Sequence, residues 1–256
     1  MSLPLQIQLE TFSPAISLNN SSHLWLLDLT QLTDEIISRQ QAFLSDAELL
    51  RAQTFKHRKL QFIALRAFVR MCLAQYTGTA PGTLVLATEP NGKPYLINAS
   101  LPIVFNLSHS NDMVVLAVGL QHALGVDIET TTRKRSQHAI AERYFHPNEV
   151  AHLQQLTNAE HSKYFFQLWT LKEAFLKATG EGISGGLNKT FFTLKNNNIH
   201  AEFAPELTTA AQDWQFYQQF INTDYCVALA RNSNQLLNIH WLNGSEFFNT
   251  STASNT

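Results

Sequence analysis

The sequence predicts an α+β fold built as two similar halves facing each other across a cleft. Its predicted elements run strand, short helix, long helix, strands, and then run through the same order again. The two long helical segments overlay at an offset of 102 residues, which sets Tyr76-Thr77-Gly78 on Ala178-Thr179-Gly180 and Arg70 on Lys172. The length, 256 residues, suits two small units better than one ordinary domain. Identity between the halves is low, so a single irregular α+β domain stays open as the competing reading, and the repeated element order favours duplication. The boundaries read 1–121 for the first half, 122–242 for the second, and 243–256 as a flexible, frayed tail.

Residues 1–22 carry Pro4 and Pro14 and show no clear period. Residues 23–29 (HLWLLDL) read as a buried strand. Ser45-Asp-Ala-Glu48 is a helix start, an N-cap serine with glutamate three residues on. A long helix follows over about 55–75, with Phe62, Leu65, Val69 and Cys72 at helical spacing, and Gly78, Pro81 and Gly82 end it. A strand at 83–88, a turn at Pro90-Asn91-Gly92, and strands near 104–107 and 114–120 complete the half. In the second half, 124–129 (LGVDIE) reads as a strand, and His146-Pro147-Asn148-Glu149 opens a helix. The next long helix spans about 162–178 and is stopped by Gly180, Gly182, Gly185 and Gly186. Strands are expected at 191–194, 199–203, 215–221 and 225–230.

Charged residues make up 15% and hydrophobic ones 45%, which excludes a disordered or acidic-tail protein. The formal charge of −2 disfavours a protein that holds nucleic acid by its global charge. Two cysteines, Cys72 and Cys226, sit in apolar surroundings and read as buried thiols in a reducing compartment, not as a disulfide or zinc framework. No basic segment precedes the first apolar residues, and the longest apolar run, 114–120, is too short to cross a bilayer. A cytoplasmic protein is expected, with no membrane and no nucleic-acid partner.

Asp127 and Glu129 lie two apart in a predicted strand, so both carboxylates share one face. Like charges that close call for a neutralising partner, and a hard divalent cation is one. Phe165, Leu168, Leu171 and Phe175 form the apolar stripe of the second long helix, while Trp169, Glu173 and Lys177 form another at i, i+4, i+8. Taken alone, the acid pair fits a solvated strand end equally, and the stripe fits an ordinary surface ion pair.

The combination is more specific. Gly-Val-Asp127-Ile-Glu129, 39 residues, and then Trp169-Thr-Leu-Lys172-Glu173-Ala-Phe-Leu-Lys177 resembles the signature of the surfactin-type 4′-phosphopantetheinyl transferases. Asn91-Gly-Lys93-Pro94, Phe105-Asn-Leu-Ser108-His109-Ser110 and Arg143-Tyr-Phe-His-Pro-Asn-Glu149 resemble further blocks of that family.

The resemblance implies two α+β halves with the active site between them. It implies transfer of the 4′-phosphopantetheine arm of coenzyme A to a serine of an apo acyl, polyketide or peptidyl carrier protein, releasing adenosine 3′,5′-bisphosphate. Asp127, Glu129 and Glu173 are then the ligands of Mg²⁺, with Mn²⁺ a possible substitute. Glu173 is the general base, directly or through a metal-bound water, and Lys177 neutralises a phosphate oxygen. Lys172 does the same or holds a carboxylate. Arg66, Lys93, Pro94, Ser108 and His109 are the expected coenzyme A contacts, and a monomer is expected. Arg133-Lys134-Arg135 reads either as a steering patch for an acidic carrier or as a solvated loop. Two other functions stay in view: a metal-dependent phosphohydrolase, and a coenzyme A- or carrier-binding protein without turnover.

Overall fold

The computed structural model describes residues 7–13, 18–19, 21–97, 99–120, 123–132, 136–182, 186–196, 198–207 and 209–249. The first half opens with strand β1 (Ser21–Asp28), followed by helices α1 (Asp34–Arg39), α2 (Asp46–Gln53) and the long α3 (Lys59–Thr77). A small hairpin, β2 (Leu86–Thr88) and β3 (Pro94–Leu96), leads to β4 (Ile103–Ser110) and β5 (Met113–Leu120). The second half begins with β6 (Leu124–Thr130), α4 (Gln137–Tyr144), α5 (Pro147–Leu153) and the long α6 (Asn158–Thr179). Its hairpin is β7 (Thr190–Lys195) and β8 (Asn198–Phe203), and its closing strands are β9 (Trp214–Ile221) and β10 (Tyr225–Asn232). Strand order repeats with element order: β1-β5-β4 in one sheet and β6-β10-β9 in the other, antiparallel throughout.

Three apolar clusters hold these layers. Alternation along β1 sends Trp25 and Leu27 toward α3, while Leu24 and Leu26 face the other sheet. Likewise Cys226, Ala228 and Ala230 of β10 pack under α6, and Val227 and Leu229 face inward. The inner faces of the two sheets therefore meet in a shared core, with one long helix outside each. Both long helices end in a left-handed glycine, Gly78 at φ 64° and Gly180 at φ 77°, whose N–H closes the last turn on Ala74 O and Leu176 O.

The overlay of Arg70 on Lys172 has physical content. Glu48 and Glu149 each stand at the third position of a capped short helix, and each is buried. Arg70 Nε reaches Glu48 Oε2 at 2.7 Å and Lys172 Nζ reaches Glu149 Oε2 at 2.8 Å. Each cation also donates to two carbonyls, Pro81 O and Leu84 O for Arg70, Leu187 O and Thr190 O for Lys172. These extra partners offset the desolvation that a bare buried pair would suffer.

Two predicted boundaries move. The capped start at Ser45 opens α2 alone; the chain leaves helical geometry by Arg58 (φ −115°, ψ 16°), and α3 begins afresh at Lys59. The expected tail at 243–256 contains helix α7 (Glu246–Asn249), and its Phe248 is buried in the first half's core. Residues Asn238–Asn243 form an additional strand, β11, parallel to β1 at the edge of the first half's sheet. Trp241 and Leu242 are buried there, which is why so polar a segment is fixed. Among the described residues no helix is long and apolar enough to cross a membrane.

Candidate active site

The site lies where β6 passes between β4 and α6. Alternation on β6 turns Val126 and Ile128 into the inter-sheet core and leaves Gly125, Asp127 and Glu129 on the α6 side. Gly125 lets the helix sit directly on the strand: a Cβ there would lie 2.1 Å from Ala174 O and 2.4 Å from Ala178 N. That approach brings Lys177, one turn beyond Glu173 on α6, to Asp127. Lys177 Nζ lies 2.7 Å from Asp127 Oδ1 and 2.8 Å from Ser108 Oγ. Ser108 donates to the same Asp127 oxygen at 2.9 Å, and Ser110 donates to Glu129 Oε2 at 2.9 Å.

The first half supplies β4, and its polar face is spliced onto β6. Asn106 Oδ1, Ser108 Oγ and Ser110 Oγ accept the N–H groups of Val126, Ile128 and Thr130 at 2.8, 3.3 and 3.1 Å. Side chains thus satisfy every second β6 amide where no strand ladder joins the sheets. Lys93 adds a further link, donating to Leu124 O and to Ala178 O near the C-terminal end of α6.

Electrostatics single out Asp127. Burial raises its pKa, Glu129 adds to the rise, and the Lys177 charge and hydrogen bond with the Ser108 hydroxyl only partly oppose it. Burial together with the Lys177 and Arg58 charges holds His109 below the usual imidazole range, against the pull of Glu129. Burial also lowers Lys93, with Glu89 opposing.

A divalent cation can be tested against these groups. Asp127 Oδ2 is buried with no hydrogen-bond partner among the described residues, an acceptor aimed at something outside the protein's own donors. The available donors are carboxylate oxygens, the hard set that Mg²⁺ takes. Among the described residues no three or more His, Cys, Asp or Glu side chains are grouped closely enough to hold a metal ion as they stand. The donor chemistry fits, and Asp127 is held by Lys177 and Ser108 while Glu129 is held by Ser110.

Other expected site residues are placed as follows. Lys172 is fully buried and turned away from Glu173, so of its two expected roles it holds a carboxylate, that of Glu149; it does not reach a phosphate from there. Neighbours on a helix point about 100° apart, so a Lys-Glu step cannot send both side chains to one cleft. Arg66 Nε pairs with Glu48 Oε1 at 2.7 Å, sharing that carboxylate with Arg70. Pro94 opens β3 beside Lys93, and His109 stands on β4 next to Ser108. Trp169 packs with Phe145 and Phe165 in the second half's core. Arg58 acts on His109 electrostatically and so joins this neighbourhood, a residue the sequence left uncommitted. Ser110 was not singled out in the sequence, although it stands two residues after Ser108 on the same strand face. Arg133-Lys134-Arg135 lies outside the described residues.

Residues 123–230 match the model of the 4′-phosphopantetheinyl transferase superfamily, which spans the acids and Lys177. The chain is 32% identical over 210 residues to the Synechocystis sp. protein slr0495, covering 78% of this chain and 84% of that one; its name assigns it to the same transferases. The chain belongs to the 4′-phosphopantetheinyl transferase family. It is also 37% identical over 172 residues to the 4′-phosphopantetheinyl transferase HetI of Nostoc sp., covering 65% of this chain and 72% of HetI. The 4′-phosphopantetheinyl transferase Sfp of Bacillus subtilis is 31% identical over 156 residues, 60% of this chain and 67% of Sfp. In this family member the matched superfamily segment is the second half, and the hydroxyls that hold its acids come from outside that segment.

Proposed function

We propose that this transferase moves the 4′-phosphopantetheine arm of coenzyme A onto a serine hydroxyl of an apo carrier protein. The serine oxygen forms the new bond to the phosphorus that bears pantetheine. The bridging P–O bond breaks, and adenosine 3′,5′-bisphosphate leaves with the electron pair. The observation that carries this reading is the meeting of Lys177 and Ser108 on Asp127 Oδ1 in a chain of this family.

Asp127, Glu129 and Glu173 are the residues that would hold Mg²⁺, or Mn²⁺, which when bound neutralises pyrophosphate oxygens as a Lewis acid. Glu173 takes the serine proton. Lys177 stands at hydrogen-bond distance from Asp127 and moves its charge toward a phosphate oxygen when one arrives. Ser108 keeps Asp127 in register during that exchange. We assign His109, Arg58, Lys93 and Arg66 as the cations for the nucleotide phosphates and Pro94 as a further coenzyme A contact. A phosphate dianion beside His109 opposes the lowering by Arg58 and Lys177, so binding favours the imidazolium.

We read the shared element and strand order as duplication of one α+β unit, with residues 1–121 and 122–242 as the two units and β11 as an addition bridging back. Hydroxyls and acids of both halves that meet within one chain support a monomer, and two buried free thiols support a reducing, cytoplasmic setting.

Intact-mass spectrometry of an apo carrier incubated with the protein, coenzyme A and Mg²⁺ tests the reading. The expected result is a gain of about 340 Da that needs metal and disappears in Glu173→Gln. Coenzyme A hydrolysis without labelling would identify a phosphohydrolase instead, and tight coenzyme A binding without either product would identify a binding protein.

A further inference from the structure

The hydroxyls of β4 follow a rule across the junction between the halves. Ser108 accepts the N–H of Ile128 and donates to Asp127; Ser110 accepts the N–H of Thr130 and donates to Glu129. Each serine thus reads a backbone amide twenty residues ahead and a carboxylate nineteen residues ahead. A hydroxyl has one hydrogen and two lone pairs, so it can do both at once, accepting from the amide and donating to the acid. Asn106 continues the series on the amide of Val126, but its carboxylate position is Gly125, which has no side chain. Asn106 therefore joins the strands without touching an acid. The series separates two jobs: three side chains stitch the halves, and two of them also aim a carboxylate.

We propose that Ser110 is a positioning residue for the reaction, fixing Glu129 from the opposite half so that the two strand acids keep the spacing of the two serines. The proposal rests on the reading of Glu129 as one of the carboxylates that hold the divalent cation. Ser110 is buried, as is the Thr130 amide-bearing residue that it accepts from. The hydroxyl is consequently oriented: with its acceptor side taken by a buried N–H, its hydrogen points at Glu129 Oε2. Partners that orient a metal-holding carboxylate from behind set affinity as well as geometry. Ser108 does the equivalent for Asp127, but it also touches Lys177, which confounds any substitution there. Among the described residues Ser110 hydrogen-bonds Glu129 and the Thr130 amide and not Lys177 or Asp127, and it gives the cleaner test.

The experiment uses the full chain and three variants: Ser110→Ala, Ser110→Thr and Asn106→Ala. Mn²⁺ binding is measured directly by the electron paramagnetic resonance signal of free Mn²⁺, with coenzyme A present. Carrier labelling is followed against Mg²⁺ concentration, and thermal unfolding reports the stitching. Ser110→Ala is expected to weaken Mn²⁺ binding about 10-fold and to raise the Mg²⁺ needed for half-maximal labelling by a similar factor, with labelling recovered at high Mg²⁺. Ser110→Thr, which keeps the hydroxyl on a β-branched strand residue, is expected to restore binding. Asn106→Ala is expected to lower the unfolding temperature while leaving Mn²⁺ affinity within roughly two-fold. Wild-type Mn²⁺ affinity in Ser110→Ala overturns the proposal, as does an equal weakening in Asn106→Ala, which would make the effect one of stitching alone. If the wild-type chain neither binds Mn²⁺ nor labels a carrier, the reading of the site itself fails and the positioning role goes with it.

Discussion

The two halves use one plan for opposite ends. At the 102-residue offset, Asp127, Glu129, Glu173 and Lys177 fall on Trp25, Leu27, Met71 and Gln75. Phe12 and Phe247 cover Trp25, with ring centroids 5.5 and 5.0 Å away, and Leu27 and Met71 lie in the core beneath α3. The same strand and helix face that is packed shut with apolar side chains in one half carries Asp127, Glu129, Glu173 and Lys177 in the other. The scaffold that both keep is the capped glutamate held by a cation of the long helix. Stability is invested in shared positions, and chemistry occupies positions where the first half has apolar side chains or a neutral amide.

Substitutions can break that comparison, and the largest effect belongs to the acids. Glu173→Gln should lower the labelling rate by about 10²–10⁴, the range for loss of a general base, whereas the counterpart Met71→Leu should leave the rate nearly unchanged. Single-turnover carrier labelling followed by mass distinguishes them.

The two ion-pair locks come next. Lys172→Met removes the cation from a carboxylate that stays buried, and should cost about 3–5 kcal/mol by urea unfolding. Arg70→Met should cost less, because Arg66 still holds Glu48. Equal losses would mean that the two locks are equivalent despite the second arginine.

A pair of glycines sharpens the contrast at the strand junction. Gly125→Ala drives a methyl into the α6 backbone and should cost about 1–3 kcal/mol, with a larger proportional loss of activity as Glu173 and Lys177 are pushed off β6. Gly119→Ala, whose Cβ would meet ordinary contacts at 3.6–3.9 Å, should shift stability by no more than about 1 kcal/mol.

The last contrast is in pH dependence. Burial alone would raise Glu48, but the Ser45 amide, Arg66 and Arg70 outweigh it and hold the pKa below the usual carboxylate value. A lowered folded-state pKa contributes stability that is present above the unfolded value and is lost as pH falls through the folded one. Glu48→Gln should therefore flatten the acid limb of the stability curve, and an unchanged limb would show that Glu48 adds nothing to it.

Much of this architecture was legible because it is periodic. The long helices, their glycine stops, the capped starts at Ser45 and His146, and strands β4 to β10 all follow from spacing and turn residues. The acids and Lys177 were legible as a combination. What escaped depends on partners distant in sequence. Asn238–Asn243 becomes a strand because β1 offers an open edge, and α7 is fixed because Phe248 finds a core on the other side of the molecule. Lys172 and Glu173 are adjacent in sequence, and only the roll of α6 about its axis buries one fully and puts the other on the Lys177 side. Ser110 gained its part from the two-residue pleat of β4 lying against β6.

The parallel pairing of β1 with β11 has a consequence for synthesis. A ribosome releases the chain from its N-terminus, so β1 emerges long before Asn238–Asn243 can reach it. During that interval the β1-β5-β4 sheet has an open outer edge, the kind of edge that recruits strands from other nascent chains. The first half therefore finishes folding after the second half has been made, although it leaves the ribosome first. Polysomes crowded with this message should be its most aggregation-prone setting, and supplying the strand early, by moving residues 238–249 ahead of β1 in a permuted chain, should relieve it.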